Sequence, residues 1–446
     1  MAGRGGPLGR STDRQLEYLL RDVLLSDEEK RMYAGDHGPA VQKAMDLLVR
    51  YGEALGAERL VDTQNVCGAN VFTPRQRKLG GDTADAAFSR LALDSDEVVE
   101  MPPVKVFSCQ LIGPMDREEW ATQGLSDDDH AEITESMEYN ARHGVHLMNT
   151  CTPYQVGNVP VKGEICAWME SSAVVYINSV LGARSNVEGR ESTAAAMLTG
   201  KIPHWGFHLD ENRFGTHRID VEVPVETSQD WGMLGYFTGE VVDDKVPVFE
   251  GITQTPDLLK LKHFGAAAAS SGGVELYHVP GVTAEARTIE EAFGPNTPAE
   301  TFTYGEAERR RTYEALNCTA KDRDVDLVML GCPHAGIDQI REICNLVEGK
   351  RVHPESALWV FTPSPIRALA VQNGYARILE DAGAKLMSDT CPAIGQFLPK
   401  GARVIATDSA KQVHYLPAIM SVQGWFGDTR ECVEAALTGR WSGGLD

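Results

Sequence analysis

Between Pro39 and Leu55, apolar Val41, Ala44, Met45, Leu48 and Tyr51 recur at helical spacing. The pattern predicts one amphipathic helix with its apolar stripe turned to a core. Upstream, Ser26 with Glu29 following it has the spacing of a capping box and predicts a helix start there. A short strand, RLVDT, follows the long helix. The middle of the chain is punctuated by glycine: LGARSN, LTGKIPHWGFH and SSGGVELYHVPGVT read as loops between shorter elements. One block stands out. In AWMESSAVVYINSVLGARSN, residues 167–186, an apolar stripe of Ala173, Val174, Ile177, Val180 and Leu181 predicts a core helix.

The last third alternates more regularly. Strands are predicted at DLVMLG, SALWVFT, AKLMS and RVIAT, with helices over about 338–347 and 365–382 and a final helix at CVEAALTG. Strands separated by helices predict a parallel sheet with crossover connections. The fold class is therefore α/β, with residues 1–23 as a flexible tail, 24–294 as a first α/β region and 295–446 as a doubly wound lobe.

Composition narrows the function. The 446 residues are 42% hydrophobic, enough for a large core, and no run approaches a membrane span. The net charge of −22 argues against nucleic-acid or anionic-membrane partners, which need clustered Lys and Arg. The Gly- and Arg-rich start lacks the apolar segment of a secretory signal, so a cytoplasmic location is expected. Nine cysteines without any CxxC pair argue against a zinc ribbon or a disulfide framework. There is also no P-loop, GxGxxG, GxSxG or HExxH pattern.

Three cysteines share a local context. Cys151 lies in NTCTPY, Cys332 in LGCPH and Cys391 in SDTCPA, each followed closely by proline. Proline stiffens the turn that presents the thiol. Cys332 and Cys391 also fall just past predicted strand ends, where open α/β sheets form their ligand crevice. Three thiolates suffice for an iron–sulfur cluster with one iron open to substrate, which acts as a Lewis acid. Three unrelated Cys-Pro turns are the competing reading, and spacing alone leaves both open. Glu170, Ser171 and Ser172 gather acid and hydroxyl groups at a predicted helix start, which is an anion site or simple capping. HLDENRFG and TDSAK, with Ser409 and Lys411, offer further polar groups, and His334 beside Cys332 is a ligand, a proton carrier or a structural residue.

Taken in order, several long segments resemble the large subunit of aconitase X, a branch of the aconitase superfamily. They are LLSDEEKRMYAGDHGPAVQKAM, NTCTPY, AWMESSAVVYINSVLGARSN, LTGKIPHWGFH, AAAASSGGVELYHVPGVTAEA, LGCPH, SDTC and TDSAK, spanning about residues 24–440. The resemblance implies an aconitase-like, multi-lobed α/β body with mainly parallel sheets. It implies a hydro-lyase whose cluster, 2Fe-2S or 4Fe-4S, is held by Cys151, Cys332 and Cys391. Glu170 and Ser171 are then expected as catalytic residues, and Ser172, Ser409 and Lys411 as substrate-binding ones. Cys67, in QNVCGAN, departs from the family pattern and is a possible fourth thiol.

In this family a small swivelling domain supplies a serine that abstracts the proton. The expectation is that this chain lacks that domain and pairs with a small subunit carrying it. Family substrates are small hydroxy-carboxylates: cis-3-hydroxy-L-proline, dehydrated to a pyrroline-2-carboxylate, or phosphomevalonate. The latter needs a phosphate grip, and no basic cluster is evident near the candidate residues, so hydroxyproline is the expected substrate. A non-enzymatic iron–sulfur electron carrier is the rival of another class. Carriers usually ligate the cluster fully, with four thiolates.

Overall fold

A computed structural model describes residues 23–445; the expected N-terminal tail lies almost wholly outside the described residues. The chain opens as its sequence predicts. Ser26 caps the helix Asp27–Ala34 in a capping box with Glu29, and the helix Pro39–Leu55 buries Ala44, Met45 and Leu48. The strands β1 (Leu60–Asp62), β2 (Asn65–Gly68), β3 (Phe107–Gln110), β4 (Cys166–Trp168) and β5 (Lys201–Pro203) belong to the first part. In it β3-β2-β4 form a parallel sheet, and β1 pairs antiparallel with β5. The block at 167–186 begins as the end of β4. Its helix is only Ser171–Tyr176, continued by a π-helical turn, Ile177–Leu181.

Next come β6 (His217–Val221), β7 (Pro247–Glu250) and β8 (Glu300–Tyr304), a parallel sheet in the order β7-β6-β8. Two helices, Ser228–Val242 and Leu258–Ser271, pack closely beside it. A Cβ on Gly235 would lie 2.3 Å from the Phe264 carbonyl oxygen, so only glycine permits that approach. The pairing of β8 with β6 ties residues 300–304 to this middle sheet. By strand pairing the C-terminal sheet therefore starts at Leu327, later than the expected boundary near 295.

That last sheet holds β9 (Leu327–Leu330), β10 (Ala357–Thr362), β11 (Lys385–Ser388), β12 (Val404–Thr407) and β13 (Gln423–Phe426), all parallel, in the order β11-β10-β9-β12-β13. It is buried on both faces. Val328 and Leu330 point into one apolar cluster, while Leu327 and Met329 point into another. The helix expected over 365–382 is two, Ser364–Gln372 and Tyr375–Ala382, broken where Gly374 takes φ 78°. The strand order reverses between β9 and β12, and such a switch opens a crevice at the carboxyl ends of the strands. Among the described residues no helix is long and apolar enough to cross a membrane.

Away from that crevice, buried Glu188 offers a test of the first part's packing. Burial pushes its carboxyl up to about 7, against the pull of Ser192 and Tyr51. An unfolded glutamate titrates near ~4.3. The folded state thus holds this proton more tightly; its contribution is complete below ~4.3 and is lost as pH rises through about 7. The isosteric Glu188→Gln substitution removes that loss. Its melting temperature should gain about 3 °C or more on wild type between about pH 5 and about pH 8. A difference that stays flat with pH would contradict the buried-carboxyl assignment.

Candidate active site

The turn after β9 begins at Gly331, whose φ is 93°. A Cβ there would lie 2.2 Å from the Phe361 carbonyl oxygen, so glycine is needed to bring the chain round to Cys332. Cys391 follows β11 through Asp389, a left-handed residue at φ 67° whose carboxylate accepts the Ser364 N–H at 2.8 Å. Cys151 comes from the first part. A bridge between Cys109 and His146 lays its segment alongside β3, and Cys151 lies just beyond, past left-handed Asn149. The two parts meet at their strand ends. Gly113 N donates to Asp389 O at 2.8 Å, beside a bridge between Gly113 and Thr390.

The three cysteines thus line one cavity of about 260 Å³, together with Glu170, Ser172, His334 and Lys411. Each sulfur has a donor. His334 N–H donates to Cys151 Sγ at 3.3 Å, the Ser409 hydroxyl bonds Cys332, and the Ile394 and Ala393 N–H groups face Cys391. Burial raises all three thiols, Cys391 to about 12, and the charge of Glu170 adds to the rise. As free thiols they stay protonated.

Glu170 is the N-cap of the helix Ser171–Tyr176, at the carboxyl end of β4. Burial would raise its pKa, but the Lys411 ammonium, donating at 2.5 Å, holds it below the ordinary carboxylate range. Lys411 is raised in turn, since Glu170 outweighs the effect of burial. About a sixth of each side chain stays open, 18% for Lys411 and 16% for Glu170, so the pair is walled in but reachable. Ser172 Oγ donates to Glu170 at 3.0 Å and accepts from Lys411 at 3.3 Å.

Other expected residues fare differently. Ser172 lines the cavity, whereas Ser171 does not. Ser409 Oγ also accepts from Gln412 N at 3.1 Å, so it caps the helix Ala410–Met420 and serves Cys332. Cys67 does not join the three cysteines. It lies within β2, where the Cys109 thiol donates to it at 2.9 Å inside an apolar cluster with Cys166 and Trp168. His334 is wholly buried, with Nδ1 2.9 Å from Thr150 Oγ1 and Nε2 3.1 Å from Thr390 O. A carbonyl only accepts, so Nε2 carries the hydrogen and Nδ1 accepts from the threonine. Burial lowers this imidazole to about 4, so it is neutral and structural. Sequence reasoning missed Lys262, which has no motif of its own; its ammonium donates to His334 O at 2.9 Å.

Among the described residues no group of three or more His, Cys, Asp or Glu could hold a single metal ion. A cluster asks for something else: it would be held through more than one iron, so its three cysteines need not converge on a single point. Three soft sulfurs, each with a hydrogen-bond donor, in a cavity also lined by Ile112, Ile394 and Leu416, fit an iron–sulfur cluster.

Comparison with known proteins agrees in extent and order. Models of the aconitase X first, second and third domains match residues 22–211, 215–314 and 325–438. The phosphomevalonate dehydratase large subunit of Methanothermobacter thermautotrophicus is 39% identical over 91% of this chain and 97% of its own. The cis-3-hydroxy-L-proline dehydratase of Pseudomonas aeruginosa is 34% identical over 97% of this chain and 73% of its own. The crystal structure of Thermococcus kodakaraensis aconitase X, holo-form, superposes with a TM-score of 0.80 at 32% identity, covering 93% of this chain and 100% of that one. The chain belongs to the aconitase X family, and with it to the dehydratases.

Proposed function

We propose that this chain is the large subunit of an iron–sulfur dehydratase acting on cis-3-hydroxy-L-proline. The observation that carries the substrate is the Lys411–Glu170 pair beside the three cysteines. It presents one cation and one anion, a match for a zwitterionic amino acid. Lys411 grips the substrate carboxylate, and Glu170, with Ser172 beside it, accepts from the ring ammonium. Phosphomevalonate brings a phosphate and a carboxylate but no cation, and among the described residues lining this cavity Lys411 is the one cation, His334 being neutral. The relative at 39% identity nevertheless makes phosphomevalonate the second reading.

Cys151, Cys332 and Cys391 would hold the cluster, which when bound supplies a Lewis acid for the departing 3-hydroxyl. The apolar lining excludes water from the reacting bond. The base that removes the proton at Cα is assigned to a serine of a small subunit. A small-subunit partner is supported by the "large subunit" in the names of relatives and by Ile394, Tyr415 and Ile419, which line the cavity yet stay exposed; the serine rests on the family resemblance.

Two experiments test this reading. The chain, purified without oxygen with a co-expressed small subunit, should turn over cis-3-hydroxy-L-proline and leave phosphomevalonate untouched; the reverse result would overturn the substrate choice. Separately, Lys411→Met should strand the Glu170 charge and destabilise the fold by about 2 kcal/mol, less than a sealed pair would lose. Adding Glu170→Gln should restore most of that stability while kcat/KM stays at least ~100-fold down. Additive stability losses in the double variant would show that the two charges do not depend on each other.

A further inference from the structure

Lys262 lies on the helix Leu258–Ser271, in the middle part of the chain, and only 4% of it is exposed. Its ammonium donates to His334 O at 2.9 Å and to Gln339 Oε1 at 2.6 Å, both neutral oxygens. Gln339 is itself held, since its Oε1 also accepts from Gly336 N at 3.2 Å. No carboxylate among the described residues forms an ion pair with Lys262, although the chain carries 64 acidic residues. A buried ammonium without a countercharge is costly, and chains rarely keep one without a compensating anion. The negative groups that act on it most strongly are Cys151, Asp408 and Cys332. Asp408 accepts from the Thr429 hydroxyl at 2.9 Å, which leaves its charge in place, so it offsets Lys262 in part without pairing with it. His334 links the lysine to the sulfurs directly, accepting from Lys262 at its carbonyl while its own N–H donates to Cys151 Sγ at 3.3 Å.

We infer that Lys262 is the counter-cation of the three-cysteine set, a positioning residue that offsets the charge created when those thiols ionise to hold the cluster. It works from behind the sulfurs and touches no substrate, since it does not line their cavity. The inference rests on the cluster reading. It predicts that removing the charge costs the loaded protein more than the unloaded one. Without cluster the thiols are neutral and Asp408 alone opposes Lys262, without forming an ion pair; with cluster the thiolates add to it.

The test uses the full chain, wild type and Lys262→Met, before and after reconstitution with iron and sulfide. Before loading, Lys262→Met should lose less thermal stability than it loses after loading. After loading, the variant should gain less thermal stability than wild type, release iron to a chelator roughly tenfold faster or more, and show a more negative midpoint potential. Lys262→Gln keeps a donor for His334 O but removes the charge, and should behave like Lys262→Met. Should Lys262→Gln keep the wild-type potential and iron retention, the residue acts as a hydrogen-bond donor and the charge inference falls. A Lys262→Met chain that loses as much stability unloaded as loaded overturns it too. Wild type that takes up no iron and sulfide would remove the cluster reading itself, and this inference with it.

Discussion

The site depends on one buried imidazole. His334 receives a hydrogen bond from Thr150, next to Cys151, and donates one to the carbonyl of Thr390, next to Cys391; its backbone follows Cys332 by two residues. One side chain therefore ties together the loops that carry all three cysteines, which come from segments as far apart as 151 and 391. The arrangement works because the ring is neutral, since a protonated imidazole could not accept from Thr150. Burial enforces that state. A buried polar group with every partner in place fixes geometry more sharply than apolar packing does, and a partly satisfied one would cost stability.

Around this clamp the electrostatics are local. The chain carries a net charge of −22, yet its cavity holds a balanced pair and has a buried lysine behind it. An acidic surface would repel an anionic substrate at long range, but salt screens that field over ~10 Å. Inside the cavity the nearest charges decide, and they are Lys411 and Glu170. Each part of the fold contributes: Cys151 and Glu170 from the first, Lys262 from the middle, and Cys332, Cys391 and Lys411 from the last.

Much of this was legible in the sequence because its signals are local. The capping box at Ser26, the helix Pro39–Leu55 and the alternation of the last third follow from short-range patterns, and the structure keeps them. Cys332 and Cys391 could be read as crevice residues because their strands were legible. What escaped depends on contacts distant in the chain. Ser172 faces the cavity as expected, but its neighbour Ser171 does not, a matter of one helical step that apolar periodicity does not resolve. The thiol of Cys67 looked available until strand pairing put it opposite Cys109. Lys262 sits on an ordinary helix, and only its approach to His334, 72 residues away, gives it a role.

The proposed cluster bears on the chemistry of the free thiols. Burial raises all three thiols, so they carry protons that would have to leave for the proposed cluster to bind. The donors from His334, Ser409, Ala393 and Ile394 favour the thiolate form and lower the cost of that exchange. Ala393 and Ile394 belong to the helix start that presents Cys391, whereas His334 and Ser409 reach Cys151 and Cys332 from other segments. The protein thus keeps its sulfurs unreactive while free and its hydrogen bonds ready for the charged state. That combination is expected of a site built for an exposed cluster, where a low-pKa thiol would be open to oxidation before iron arrived.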